Sequence, residues 1–222
     1  MMNNPTSSQA LSLHNISDYF VQAFPAITRD EQTLALILYR LLSLGKHVNV
    51  LQIQTETDLT TSIIEQALHD WPDILFDDDQ QVIGFWGITV QPMTHRMVVD
   101  DHVCYAWCAW DTLFIPELLN KVVKVESRCP VTNNNIELIV SPTHAESANG
   151  KPLYLSFLQP DMDKLNDDIT SNFCHFVYFF DSKQIAEQWL AEHPSTFLLT
   201  LDEAFKIAKQ VNNKRFNLTL DQ

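Results

Sequence analysis

Apolar side chains recur at helical spacing in the first part of the chain. Leu34, Leu38 and Leu41 fall on one face of a predicted helix, because residues three or four apart share a face. Thr28 and Glu31 have the spacing of a capping box, which marks where that helix begins. The same periodicity predicts helices over residues 10–23, 29–44, 51–57 and 61–70. The beginning of the chain is therefore expected to be mainly helical.

Two strand-like runs follow these helices. Residues 74–76 and 82–90 read as strands, and the polar residues 77–81 join them. Helices followed by a two-stranded ribbon suggest a winged-helix arrangement, which often binds DNA. Gln91 and Pro92 then make a plausible boundary. We therefore predict a first domain over residues 1–92 and a second over 93–222.

The second domain mixes strands with helices. A helix is predicted at 103–115, where Pro116 disturbs its end. Further helices are predicted at 183–192 and 202–211, and strands at 95–100, 121–127, 135–140, 152–158 and 173–180. The expected fold class is α+β: a winged-helix-like helical domain, then an α/β domain of mostly antiparallel strands with flanking helices.

The charge of the chain argues against a DNA-binding role for the first domain. Residues 1–95 carry three Lys or Arg against eleven Asp or Glu, and the helix predicted at 61–70 has no Lys or Arg. The whole chain has a formal charge of -14. Nucleic acids and anionic membrane surfaces both require a basic footprint. We expect neither as a partner, and a small or cationic substrate fits better.

Cysteine usage and hydropathy indicate a cytoplasmic protein. No apolar stretch reaches the roughly 18 residues that a membrane span needs, and residues 1–9 lack a signal-peptide pattern. Without an export signal, the four cysteines are expected to be reduced thiols rather than a disulfide framework. They are candidate metal ligands or nucleophiles, namely Cys104, Cys108, Cys129 and Cys174.

One constellation of these residues suggests chemistry. If residues 103–115 are helical, Cys108 and Asp111 project from nearly the same face with Cβ atoms roughly 5–6 Å apart. Cys104 lies one turn earlier on that face. A thiolate pair binds soft metals, and a neighbouring carboxyl can transfer a proton. Simple packing is the alternative, because free cysteines are among the most buried residues. Spacing alone does not bring Cys174 to Cys108.

At these residues the chain resembles the organomercurial lyases (alkylmercury lyases), which cleave carbon–mercury bonds. The resemblance rests on YAWCAWDTL at residues 105–113, on residues 127–129 with a strand that ends near 140–142, and on Phe173 with Cys174. It implies catalytic roles for Cys108, Cys174 and Asp111, a structural role for Cys129, and a catalytic domain over 93–222. The family pattern leads us to expect an aliphatic residue at position 104. Cys104 is therefore a thiol beyond the family's usual set and a candidate for an extra mercury ligand.

The resemblance also implies a mechanism and its partners. Cys108 and Cys174 would hold the mercury of an organomercurial substrate, and Asp111 would carry a proton to the carbon. Mercuric ion would remain on the sulfurs, with Asp111 nearby, until cellular thiols or a mercuric reductase remove it. No organic cofactor is expected. Aromatic residues beside the cysteines are candidates for an apolar wall around the organic group, with core packing as the alternative: Trp107, Trp110, Phe173 and Phe176.

A protein without enzymatic activity is the main alternative. Cys104, Cys108 and Cys174 could hold a soft ion in a cytosolic metal-binding or metal-sensing protein. A sensor would need a basic DNA-facing surface, which residues 1–95 lack. A metal carrier would have no use for a proton donor at Asp111.

Overall fold

A computed structural model describes residues 13–23, 26–158 and 173–220. Seven α-helices lie in these ranges: α1 Leu13–Ala23, α2 Arg29–Leu42, α3 Val50–Gln54, α4 Thr61–Asp70, α5 Asp111–Leu119, α6 Lys183–Glu192 and α7 Leu201–Arg215. The strands are β1 Ile74–Phe76, β2 Val82–Phe85, β3 Ile88–Thr89, β4 His95–Val99, β5 His102–Ala106, β6 Val123–Arg128, β7 Asn135–Val140, β8 Ala145–Ser147, β9 Tyr154–Leu158, β10 Phe179–Phe180 and β11 Thr196–Thr200. The fold class is α+β.

Eight strands form one antiparallel sheet, in the order β1-β2-β3-β5-β4-β6-β7-β8. Met97 of β4 lies opposite Cys104 of β5, and Val125 of β6 lies opposite Leu138 of β7. All four side chains are buried. Buried and more exposed positions alternate along β6 and β7, which is typical of a sheet with one face on the core.

A smaller antiparallel sheet, in the order β10-β9-β11, leads into α7. Thr200 caps α7 and forms a capping box with Glu203, so the strand gives way to the helix within one residue. Helix α7 packs against α1, α5 and β11. The core residues of both sheets and of these helices belong to one continuous apolar cluster.

The predicted winged helix is not confirmed. Helices α2, α3 and α4 and the ribbon β1–β2 follow in the predicted order, and Thr28 forms the predicted capping box. However, the ribbon is part of the eight-stranded sheet, because β3 pairs with β5 across residues 91–92. The division into 1–92 and 93–222 stays a prediction. Residues 10–12 of the first predicted helix lie outside the described residues.

Three of the predicted elements are wrong or incomplete. Residues 102–106 form strand β5 and the helix starts only at Asp111, so the predicted helix at 103–115 is wrong in its first half. The run 82–90 is a hairpin that turns at Trp86 and Gly87 rather than one strand. The predicted strand at 173–180 is a 3₁₀ turn at Cys174–Phe176 followed by the short strand β10.

Within the described ranges, each helix is too short or too polar to cross a lipid bilayer.

Candidate active site

Cys108 lies in a tight segment between β5 and α5. Its neighbours hold the segment from two sides: the Trp107 N–H donates to the Gly87 carbonyl oxygen (3.0 Å), and the Ala109 N–H donates to that of Val177 (3.2 Å). The hydroxyl of Thr112 donates to the Ala109 carbonyl oxygen at 2.7 Å. Because backbone hydrogen bonds fix these neighbours, the completely buried Cys108 has a defined position.

Asp111 is the first residue of α5 and turns back over this segment. One carboxylate oxygen, Oδ2, accepts a hydrogen bond from the Cys108 N–H at 2.8 Å. The residue is only 5% exposed. Carboxylates are favoured in the first turn of a helix, where backbone N–H groups lack partners. The helix start therefore places an acid directly beside the first cysteine.

Cys174 reaches the same place from the turn that precedes β10. It begins a 3₁₀ turn in which the Val177 N–H donates to the Cys174 carbonyl oxygen at 3.2 Å. Ser156 of β9 holds the residues that follow: its hydroxyl donates to the Phe176 carbonyl oxygen (2.7 Å) and accepts from the Tyr178 N–H (3.1 Å). Since Val177 also accepts the bond from Ala109, the two cysteine segments are joined by their backbones.

The structure thus brings together three of the residues that the sequence singled out. The two Sγ atoms and a carboxylate oxygen of Cys108, Asp111 and Cys174 all lie within 4.8 Å of one another. Cys174 is 6% exposed, so all three residues are buried. Two sulfurs and one oxygen at these distances suit a soft metal ion beside a proton carrier.

Burial dominates the electrostatics of the cluster. It raises the pKa of the Asp111 carboxyl to about 7, although hydrogen bonds from the Cys108 side chain and backbone oppose this rise. Burial also raises the pKa of the Cys108 thiol well above its ordinary value, and a hydrogen bond with Cys174 and the charge of Asp111 add to the rise. The site therefore favours the protonated form of the Cys108 thiol, beside a carboxyl that can accept a proton near neutral pH.

Cys104 lies outside this group. It sits on β5, not on a helix with Cys108, so the expected shared helical face is wrong. Its side chain is completely buried opposite Met97, and burial raises its pKa to about 12. These features are typical of a packed cysteine. Cys129 is also buried, in a turn where its N–H donates to the Asn134 carbonyl oxygen.

The aromatic residues beside the cysteines differ in their surroundings. Trp110 packs against Phe20, Phe157 and Phe173, and its Nε1 donates to the Ala204 carbonyl oxygen. Phe173 packs in the same aromatic group. Both therefore contribute to the core beneath the site. Trp107 directly precedes Cys108, and Phe176 lies two residues after Cys174. Their role as a wall for the organic group stays a prediction.

Gly87 is a site residue that the sequence reasoning missed. Its backbone has φ +98°, and a Cβ built on it would lie 2.7 Å from Cγ and Oδ1 of Asp111. A glycine inside a strand-like run often marks a tight turn or a close backbone approach, and this signal could have identified Gly87.

Comparisons with known proteins point to one family. The family model described as MerB, alkylmercury lyase, matches residues 88–213, which include all three clustered residues. The alkylmercury lyase of Staphylococcus epidermidis is 31% identical over 203 residues, covering 90% of this chain and 92% of that protein. The alkylmercury lyase of Streptomyces lividans is 33% identical over 172 residues, with 78% of each chain covered.

A solved structure has a similar fold. The crystal structure of the mercury-bound form of MerB2 superposes with a TM-score of 0.68 and covers 91% of this chain and 98% of that one. The two sequences are 20% identical over the match.

Proposed function

This chain belongs to the alkylmercury lyase family, and we propose that Cys108, Cys174 and Asp111 are the groups with which it works. The protein is an organomercurial lyase. It cleaves the carbon–mercury bond of organomercurials by protonolysis, which gives a hydrocarbon and Hg(II). One observation carries the assignment of residues: two thiols and a carboxyl lie within 4.8 Å of one another in a buried site.

Capture of the substrate is the first step. The organomercury cation R–Hg⁺ prefers sulfur to oxygen or nitrogen because mercury is soft. A sulfur–mercury bond to one cysteine releases the proton of that thiol. The Asp111 carboxylate, whose pKa is raised to about 7 by burial, can accept this proton without losing it to bulk water.

The second sulfur then weakens the carbon–mercury bond. When Cys174 and Cys108 both donate to mercury, electron density shifts to the bound carbon. The carbon takes the proton from Asp111 as its bond to mercury breaks, and the hydrocarbon RH leaves. In balance, R–Hg⁺ and two thiols give RH, a bis-thiolate mercuric complex and one free proton. Mercury keeps its oxidation state, and no redox partner is required.

Product release needs an outside acceptor. Two external thiols can exchange with the bis-thiolate complex and return both cysteines to the protonated state, which burial favours at Cys108. Cellular thiols are the proposed partners for this step, and a mercuric reductase is a proposed final acceptor. The chemistry requires no organic cofactor. A cytoplasmic location is proposed because reduced thiols are plentiful there, and none of the four cysteines, which all lie in the described ranges, forms a disulfide.

Hydrocarbon release in the presence of excess thiol tests the assignment. Wild-type protein should release benzene from phenylmercury, whereas Cys108→Ala and Cys174→Ala should each lower the rate at least about a thousandfold. Cys129→Ala is the matched control, because it removes a buried thiol outside the cluster. Wild-type turnover in either of the first two variants would refute the assignment.

A non-enzymatic metal-binding or metal-sensing protein is not favoured. The five curated relatives are all alkylmercury lyases.

A further inference from the structure

The hairpin between β2 and β3 has an unusual turn. Phe85 pairs with Ile88, so the turn consists of Trp86 and Gly87 alone. Their φ angles are +37° and +98°. Two-residue hairpins favour turns in which both residues have positive φ, a conformation that glycine adopts freely and a bulky residue such as tryptophan adopts rarely. The Trp86 conformation therefore needs support from its surroundings.

Three parts of the fold supply that support. The hydroxyl of Tyr39, on α2, donates to the Trp86 carbonyl oxygen at 2.8 Å. The indole Nε1 donates to the Pro72 carbonyl oxygen at 2.9 Å. The guanidinium carbon of Arg215, at the end of α7, lies 4.6 Å from the centre of the Trp86 ring, within range of a cation–π interaction. The turn is thus fixed relative to both the helices and the sheet.

The turn contacts both ends of the segment that carries Cys108. The Gly87 carbonyl oxygen accepts the N–H of Trp107, just before the cysteine. On the other side, the Gly87 Cα faces the Asp111 side chain so closely that a Cβ would lie 2.7 Å from Cγ and Oδ1 and 3.1 Å from Cβ. Real Cβ contacts essentially never fall below 3.0 Å. Any side chain at residue 87 would therefore force the Asp111 side chain and the turn apart.

Tyr39 lies close enough to Asp111 for an electrostatic interaction with its carboxyl. Burial raises the pKa of its hydroxyl, the positive charge of Arg215 opposes the rise, and the negative charge of Asp111 adds to it. Tyr39, the Trp86–Gly87 turn and the Asp111 carboxyl therefore form one buried group.

We propose that the Trp86–Gly87 turn positions the Asp111 carboxyl for proton transfer, and that Gly87 is a positioning residue because its missing side chain lets the carboxyl lie against the turn. This inference rests on the proposed role of Asp111 as the proton carrier. The turn excludes solvent from one side of the carboxyl and holds it in reach of both thiols. Tyr39 acts on Asp111 through the turn.

Gly87→Ala tests the proposal, with Gly150→Ala as the matched control. Both glycines have positive φ, but nothing lies within 4 Å of a Cβ built at Gly150. Both variants therefore introduce backbone strain at a positive φ, and only Gly87→Ala also introduces the contact with Asp111. A displacement of about 1 Å at a reacting group can cost about a hundredfold in rate. We expect Gly87→Ala to lower kcat about a hundredfold, with KM for phenylmercury changed less than about threefold. Gly150→Ala should change neither kcat nor KM.

A double-mutant cycle on thermal stability identifies the contact itself. Asp111→Ala removes the Cγ and Oδ1 atoms that a new Cβ would meet at 2.7 Å. Gly87→Ala should therefore lower the melting temperature less in the Asp111→Ala background than in the wild-type background. Equal decreases in both backgrounds would overturn the proposed contact.

Tyr39→Phe provides a milder second variant if Gly87→Ala does not fold. It removes only the hydroxyl that donates to Trp86, and Thr89→Val removes a buried hydroxyl that donates to Ile83 in the same hairpin. Tyr39→Phe should lower kcat severalfold at unchanged KM, and Thr89→Val should not. The positioning role is wrong if Gly150→Ala lowers kcat as much as Gly87→Ala and Thr89→Val lowers it as much as Tyr39→Phe. The role of Asp111 is judged separately, by hydrocarbon release from Asp111→Ala in an otherwise unchanged chain.

Discussion

Replacement of Asp111 by Asn should make the free energy of unfolding less dependent on pH. Burial raises the pKa of the Asp111 carboxyl to about 7 from its ordinary value of 3.8. Between these values the folded chain keeps a proton that the unfolded chain has lost. The free energy of unfolding of the wild type therefore falls as pH rises from about 4 to about 7 and levels off above it. The Asp111→Asn variant should lack this dependence, because an amide does not titrate in this range.

The size of this effect follows from linkage. A single carboxyl with these two pKa values lowers the free energy of unfolding by about 2.5 kcal/mol between pH 5 and pH 8. Asn has nearly the same shape and its carbonyl oxygen can still accept the Cys108 N–H. The difference between the variant and the wild type should therefore grow by about that amount, in favour of the variant, over the same range.

Urea unfolding at several pH values between 5 and 8 measures this difference. His95 also titrates differently in the two states, because burial lowers its pKa to about 4. It is present in both proteins, so its contribution cancels in the comparison. Thiols ionise mainly above this pH range. A difference between Asp111→Asn and wild type that does not change with pH would show that the Asp111 pKa is not raised by burial.

Three other substitutions separate chemistry from packing. Cys129→Ala should lower the free energy of unfolding by about 1–2 kcal/mol with hydrocarbon release retained, because the residue is buried outside the cluster; lost activity at an unchanged melting temperature would contradict this. Cys104→Val should leave kcat for benzene release unchanged, and a large decrease in kcat would mean that this thiol takes part in the reaction. Ser156→Ala removes hydrogen bonds to Phe176 and Tyr178, so it should lower the free energy of unfolding, measured by chemical denaturation, by about 1–3 kcal/mol. It should also lower kcat, because the segment that carries Cys174 loosens. An unchanged kcat would refute this link.

The helix-forming half of the fold was largely predictable because its signals are local. The capping box of Thr28 and Glu31 and the apolar face of α2 are present in the structure as the sequence pattern predicts. The alternating strands β6 and β7 also lie close to their predicted bounds. In each case the chain itself carries the period of its element.

The sequence pattern predicts a helix where strand β5 lies because apolar and polar residues do not alternate clearly along it. Only Cys104 and Ala106 of this strand are buried, and both are small residues that fit a helix equally well. Helix α5 also lacks a capping side chain at Trp110 to mark its start. The pairing of β5 with β3 and β4 decides the conformation, and pairing between distant segments is not visible in a local pattern.

The candidate site was only partly predictable for the same reason. The predicted closeness of Cys108 and Asp111 is present, but it does not come from one shared helix. Cys108 lies in the turn before α5, and Asp111 is the first residue of α5. Cys174 joins them through the backbone bond between Ala109 and Val177, which links two segments far apart in the sequence. Family resemblance, rather than spacing, pointed to Cys174.

A single-turnover experiment tests the central claim most directly. Phenylmercury is added at about one equivalent per chain without external thiol, and both benzene and protein-bound mercury are measured. The wild type should release about one benzene per chain and retain Hg(II) until thiol is added. Asp111→Ala should bind phenylmercury intact and release no benzene. Benzene release from Asp111→Ala at the wild-type rate would contradict its role as the proton carrier between the two thiols and the carbon.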